Sequence, residues 1–253
     1  MTDLLTLAVD QVNGNLRAAT LTFLRVAAAL ATLPAFGEQS IPRRFRLVAA
    51  LAFTAIIAPL VADRHVGSGL LLPALGETLC GLLIGLSLRL MILALQTAAS
   101  IAAQSASLSQ LFPVAGAEPL PALGTLMTLG ALALAISADL HLRLVELFLL
   151  SYDLLPAGRI PDASAVAGWG VAQVGRAMSL AFTLAAPFVA ASLVWTLALG
   201  IVNRAMPQLI LSFVGAPALA WGALLLAALS VPLILSVWLA AFAEVMADPF
   251  RAG

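Results

Sequence analysis

Residues 70–103 read LLLPALGETLCGLLIGLSLRLMILALQTAASIAA, thirty-four positions in a nearly unbroken apolar run. A helix needs about 20 apolar residues to cross the hydrocarbon of a bilayer. The run is too long for one crossing and too short for two comfortable ones. It shows none of the period-two alternation of a barrel strand, so helix is the form that satisfies its backbone in lipid. Pro73 is expected to interrupt it near its start. Glu77 follows as a charge set in apolar sequence, with Gly81 and Gly85 after it at the G-x-x-x-G spacing that lets a second backbone approach closely.

Outward from this stretch the same pattern repeats. Further apolar runs cover Leu16–Phe36, Leu47–Ala62, Pro121–Ala138 continuing toward Leu150, Ala177–Val202 and Leu209–Ala243. Pro59, Pro187, Pro217 and Pro232 are expected to break or kink them. Of 253 residues 62% are hydrophobic and 9% charged, with a mean hydropathy of +1.09. A soluble domain carries about a quarter charged residues, so the chain reads as an integral membrane protein. Broken helices are tolerated at membrane depth where protein or a wet cavity covers the freed backbone groups. The expected fold is therefore all-α and polytopic, built of kinked helical hairpins within an assembly, with residues 1–253 as a single integral-membrane domain.

The charges exclude several classes of function. Twelve arginines, no lysine and twelve acidic residues leave a formal net charge of zero, so no basic patch offers a nucleic-acid partner a surface. The single cysteine, Cys80, lies in an apolar run and forms no internal disulfide. Residues 1–15 lack the positive cluster of a cleavable signal peptide. Leu4, Leu5, Val9, Val12 and Leu16 recur there at helical spacing, which predicts a short amphipathic helix at the interface. Gly37–Arg46 carries the densest positive cluster, Arg43, Arg44 and Arg46, and by the positive-inside rule faces the cytoplasm. Asp63–Gly69 then lies outside. Ser151–Arg176 reads as a long polar break between two halves.

Few residues invite chemistry. Arg25 stands mid-run, and a charge at the membrane centre costs ~3 kcal/mol on insertion scales unless it finds a partner or a wet cavity. A pairing with Glu77 is one expectation, and a shallow helix from which Arg25 snorkels to the headgroups is the plain alternative. Ser105–Pro121 interrupts the apolar sequence with prolines, a glycine and hydroxyl residues, as a re-entrant loop, a gate or an ordinary external loop would. Asn203-Arg204-Ala205-Met206-Pro207-Gln208 stands between the last two runs, a specific signature or a plain turn. Catalysis has little support. Asp139 and His141 fall on different helix faces, no set of metal ligands is spaced for a site, and Gly85-Leu86-Ser87 lacks the glycine of a nucleophile elbow. No cofactor, metal or catalytic residue is expected.

Arg25, Pro34, Ile41-Pro42-Arg43-Arg44-Phe45-Arg46-Leu47, Glu77 with Gly81 and Gly85, the Gln104–Pro121 interruption, Ala186-Pro187 and Asn203-Arg204-x-x-Pro207-Gln208 occur in this order. In that order they resemble the FliR family, the flagellar export-gate component of bacterial type III secretion, and more distantly its injectisome homologue. The resemblance spans nearly the whole chain. It implies a non-enzymatic subunit of a helical hetero-oligomeric gate in the bacterial inner membrane, at the flagellar basal body. The implied partners are P- and Q-type membrane proteins, an FlhB-type switch protein, lipid and the exported flagellar subunits, which pass unfolded. It further implies that residues 1–150 form a P-like hairpin portion and 177–253 a Q-like one, and that the loop 105–121 plugs the closed channel through Ser107, Leu108, Leu111, Phe112, Pro113 and Gly116. Many relatives carry an Asp-Pro pair in that loop, where this chain has Phe112-Pro113 and Glu118-Pro119. Arg25, Pro42, Arg43, Arg44, Glu77, Gly81, Gly85, Asn203, Arg204, Pro207 and Gln208 carry over as assembly residues. Two other readings stay open: an injectisome gate subunit, and a secondary transporter whose broken helices use Arg25 and Glu77 for a charged substrate.

Overall fold

The computed structural model describes residues 2–33, 42–65, 69–106, 121–205 and 211–250. Among them every regular element is a helix: α1 (Thr2–Thr32), α2 (Arg43–Val61), a 3₁₀ turn (Ala62–Arg64), α3 (Leu71–Ala106), α4 (Pro121–Ser137), α5 (Leu140–Leu154), α6 (Ala163–Ala205) and α7 (Leu211–Ala247). Four helices are long and apolar enough to cross a membrane, at 43–64, 71–104, 163–202 and 224–247. A fifth is added if the pair on either side of Asp139 is one broken span. The chain is an all-α, multi-pass membrane protein.

Several boundaries differ from the sequence expectation. The amphipathic segment 1–15 is not a separate helix. It continues into the first apolar run as α1, because nothing between them stops a helix. Pro73 does not interrupt the long run: it sits in the first turn of α3, where its missing N–H has no intrahelical partner to lose. Pro59 and Pro187 are accommodated inside α2 and α6. The polar break shrinks from 151–176 to 155–162, because Asp162 accepts from the Ala165 amide at 2.9 Å and so starts α6 early. The interruption at 105–121 narrows at both ends. Ala106 closes α3 and Pro121 opens α4, a first position suited to proline. Between α4 and α5, Asp139 takes a left-handed backbone with φ 59°.

The residues divide into two compact units. The first comprises 1–90, 136–174 and 242–253. On α1, Ala18, Leu21, Thr22, Arg25, Val26, Ala29 and Leu30 are buried, as is Leu33 just beyond its end, a stripe at steps of three and four that a helix presents on one face. α1 packs on α2, and α2 on α5, with Phe53 and Phe148 6.2 Å apart. The end of the chain also docks in this unit: the Pro249 carbonyl accepts from Trp169 Nε1 at 2.9 Å and from Gln173 Nε2 at 2.6 Å.

The second unit comprises 91–135 and 175–241. Its anchor is Trp238, fully buried, whose indole N–H donates to the Met91 carbonyl at 2.9 Å. Trp238→Phe keeps most of the bulk but orphans that contact, at a cost of about 1 kcal/mol. Trp238→Ala also opens a cavity, at about 3–5 kcal/mol. Thermal unfolding of the purified variants in detergent is expected to give that order, and equal midpoints would refute it.

Candidate functional site

The stripe of α1 carries one residue that does not belong in an apolar interface. Arg25 is completely buried, as is Glu77 on α3. Arg25 Nε donates to Glu77 Oε2 at 2.6 Å, so the pairing, and not the shallow helix, is the observed arrangement. The other two guanidinium nitrogens are used as well. Nη1 donates to Ser151 Oγ and Nη2 to the Leu155 carbonyl, each at 3.0 Å. The guanidinium carbon lies 3.7 Å from the centre of the Tyr152 ring, a stacking worth most where water is excluded. The Ser151 hydroxyl in turn donates to the Phe148 carbonyl at 2.6 Å. Glu77 has a second partner, the Gly158 amide, which donates to Oε1 at 2.8 Å.

Four segments therefore converge: α1, the first turns of α3, the last turn of α5 and the loop behind it. Backbone geometry permits the convergence. Gly158 has φ +71°, a left-handed conformation that glycine adopts without strain, and it rests against Pro73. A side chain at Gly76 would come within 2.6 Å of the Arg159 carbonyl. One at Gly81 would overlap the Arg25 carbonyl, and one at Gly85 the Ala29 carbonyl and Thr32 Oγ1. The G-x-x-x-G spacing read in the sequence is thus the face on which α1 lies.

His65 completes the cluster just past the 3₁₀ turn. Its ring stands edge-on to Tyr152 at 5.5 Å, with Nε2 3.4 Å from Thr22 Oγ1. Arg64 and Asp153 pair at 2.6 Å nearby, both exposed, a contact worth no more than about 1 kcal/mol.

The remaining expected residues lie elsewhere. Pro42 precedes α2, and Arg43 and Arg44 stand exposed in its first turn. Cations there oppose the helix dipole, so helix stability does not explain them. Arg44 lies over the exposed Phe45 ring at 5.8 Å. Asn203 is in the last turn of α6 with Arg204. Arg204 is exposed there, at the end the dipole favours. Pro207 and Gln208 fall outside the described residues, as do Ser107, Leu108, Leu111, Phe112, Pro113 and Gly116. Ser87 is buried and bonded to the Ile84 carbonyl, not presented as a nucleophile. Among the described residues no three His, Cys, Asp or Glu side chains are grouped to hold a metal.

Sequence reasoning missed Thr22, His65, Ser151, Tyr152, Leu155 and Gly158. Ser151 and Leu155 are 126 and 130 positions from Arg25, so no spacing rule could join them. The one available signal was the demand of a buried guanidinium for more than one acceptor.

Removing one member of a buried pair leaves the other uncompensated, at about 3–5 kcal/mol. Arg25→Met and Glu77→Gln are each expected to lose that much in detergent unfolding, and the double variant to lose less than the sum by about 0.5–3 kcal/mol. A charge swap, Arg25→Glu with Glu77→Arg, is expected to recover stability only in part. It turns a carboxylate toward the Leu155 carbonyl and a guanidinium toward the Gly158 N–H. Strict additivity of the single losses would show that the pair is not coupled.

Residues 16–245 match the family described as bacterial export proteins, family 1. The chain is 36% identical to "Flagellar biosynthetic protein FliR" of Caulobacter vibrioides, over 90% of this chain and 94% of that one. To the protein of that name from Escherichia coli it is 33% identical, over 83% of each. To that from Bacillus subtilis it is 32% identical, over 78% of this chain and 79% of that one.

Proposed function

The chain belongs to bacterial export proteins, family 1, the family of the FliR proteins, and from that premise we propose that it is a non-enzymatic channel subunit of the flagellar type III export gate. It passes unfolded flagellar subunits across the bacterial inner membrane at the basal body. The observation that carries this reading is the match, over 78–90% of the chain, to relatives named for flagellar biosynthesis. The physical character of the helices supports it. Of the apolar windows of α6 and α7, only 12% and 22% is buried within the chain, against 56% for α3. Phe182, Leu193, Val194, Leu197 and Ile201 on α6 and Trp221, Leu225, Leu229 and Leu233 on α7 are exposed. Such surfaces need lipid or protein cover, as a subunit wound against P- and Q-type membrane proteins and an FlhB-type switch protein provides.

In this reading residues 1–150 form the P-like portion and 177–253 the Q-like portion. The exposed Arg43 and Arg44 meet the cytoplasmic headgroups. The loop 107–116 seals the resting channel through Leu108, Leu111 and Phe112, since an apolar constriction sheds water and with it ions. In this reading the energy for export comes from proton-motive force and from an ATPase that belongs to other subunits.

Gentle solubilisation separates the readings. A gate subunit is expected to co-purify with P- and Q-type proteins, whereas purification alone or as a homo-oligomer would favour a transporter. Loss of motility on deletion is expected for a flagellar gate, and retained motility with lost secretion for an injectisome. Shortening the loop from Ser107 to Gly116 is expected to leave assembly intact and make cells leaky to small ions. Unchanged ion permeability would remove the plug role.

A further inference from the structure

The Arg25–Glu77 cluster holds one titratable side chain that the ion pair leaves unused. The His65 side chain is 1% exposed. Its Nδ1 is buried without a hydrogen-bond partner, 4.0 Å from Glu77 Oε1. That same oxygen accepts the Gly158 amide at 2.8 Å. One carboxylate oxygen thus lies between the amide it holds and an imidazole nitrogen that becomes a donor on gaining a proton. The distance to His65 is too long for a hydrogen bond to the neutral ring and short enough for a small ring movement to close.

We propose that His65 and Glu77 form an acid-responsive clasp on the loop joining α5 to α6. With His65 neutral, Glu77 Oε1 holds Gly158. With His65 protonated, Nδ1–H draws that oxygen away and Gly158 is released. The inference rests on the geometry of this cluster alone and not on the export reading.

The loop is built to respond. Three anchors hold it to the start of α3 and to α1: Leu155 O on Arg25 Nη2, Gly158 N on Glu77, and the close fit of Arg159 over Gly76. Of these, only the second shares its acceptor atom with the neighbourhood of a titratable group. Losing it frees the left-handed turn at Gly158, whose amide is held by the Glu77 side chain.

The charges set the direction of the response. Arg17 and Arg25 on α1 and Glu77 on α3 act on His65 through their charge, α5 contributes the Tyr152 ring, and Asp153 on α5 is held by Arg64. Asp63 and Arg64 lie on the turn that carries His65 itself. Burial pushes the imidazole pKa below its ordinary 6.5, Glu77 pulls it back up, and the two arginines push it further down. The folded state then binds this proton less readily than the unfolded chain does. The stabilisation is complete above pH 6.5 and drains as pH falls through the lower folded value.

The test uses the full chain in nanodiscs, with a spin label on Ile160→Cys, an exposed loop position; native Cys80 is fully buried. Between about pH 8 and about pH 5, the range in which histidine changes charge, the immobilised component of the spectrum is expected to be lost in one step below pH 6.5. His65→Gln is expected to abolish that step. Persistence of the step in His65→Gln, or a spectrum unchanged across the range in the native chain, would overturn the proposal. A second measurement needs no variant at position 65. The chain has two histidines, so ring resonances of labelled histidine give two titrations, separable in His141→Gln. The His65 curve must coincide with the change in label mobility, and a mismatch between them would refute the clasp.

Discussion

A guanidinium and a carboxylate withdrawn from water lose more hydration than their mutual attraction returns, unless their remaining hydrogen-bonding capacity is also filled. That condition governs the Arg25–Glu77 pair. Arg25 needs acceptors beyond Glu77 and finds Ser151 and the Leu155 carbonyl. Glu77 needs a donor beyond Arg25 and finds the Gly158 amide. None of these partners is near in sequence, so meeting the condition folds the end of α5 and the following loop onto the start of α3. The pair adds little net stability over a well-packed apolar contact, but it makes any other register of these segments costly. Slipping α1 by one turn would strand two buried charges and three backbone or hydroxyl groups together.

The register needs backbones that can come close enough. Gly81 lies against the Arg25 carbonyl, while Gly85 lies against Ala29 and Thr32. Residue numbers rise together along both helices, so α1 and α3 run in the same direction over this contact. Two parallel neighbours cannot be joined by a tight turn; α2 returns the chain between them, packing on α1 and on α5. The glycines bring the helices together and the ion pair fixes their offset. Each needs the other: a charge pair at ordinary helix separation would admit water, and a small-residue groove alone would tolerate sliding, since van der Waals packing between apolar helices discriminates weakly among registers.

Much of this was legible in the residues. Run lengths and the paucity of charge gave an all-helical membrane chain, and Arg25, Glu77, Gly81 and Gly85 were marked as the places where apolar sequence departs from its rule. What local pattern could not yield was the outer half of the cluster. Ser151 and Gly158 read as ordinary members of a polar stretch, and His65 as part of an external turn, because their role depends on contacts spanning 81 or more positions for Gly158 and Ser151 and 43 for His65 with Thr22. Proline was misleading in a regular way. Pro73 sits in a first turn, where the missing amide costs nothing, so it marks a helix start and not a break, as Pro121 does at the head of its apolar run. Helix ends were also misjudged where small residues are neutral on the matter: 163–176 is polar enough for a loop, and one capping aspartate, Asp162, is enough to make it helix.

The polar groups of the chain are distributed unevenly, and the distribution separates two tasks. Among the described residues, the first unit holds polar groups matched to particular distant partners: all three guanidinium nitrogens of Arg25 and both oxygens of Glu77 are bonded. On α6 the hydroxyls of Thr183, Ser192 and Thr196 all donate to carbonyls three or four residues earlier in their own helix. Those three hydroxyl donors therefore need no partner outside their own helix. A surface of this kind can be covered by lipid or by another apolar helix without orphaning a polar group, and what it selects for is shape. Residues that fix the internal register therefore do not compete with residues that meet the surroundings. The chain can hold one arrangement around Arg25 while the exposed apolar residues of α6 and α7 meet whatever apolar neighbour covers them.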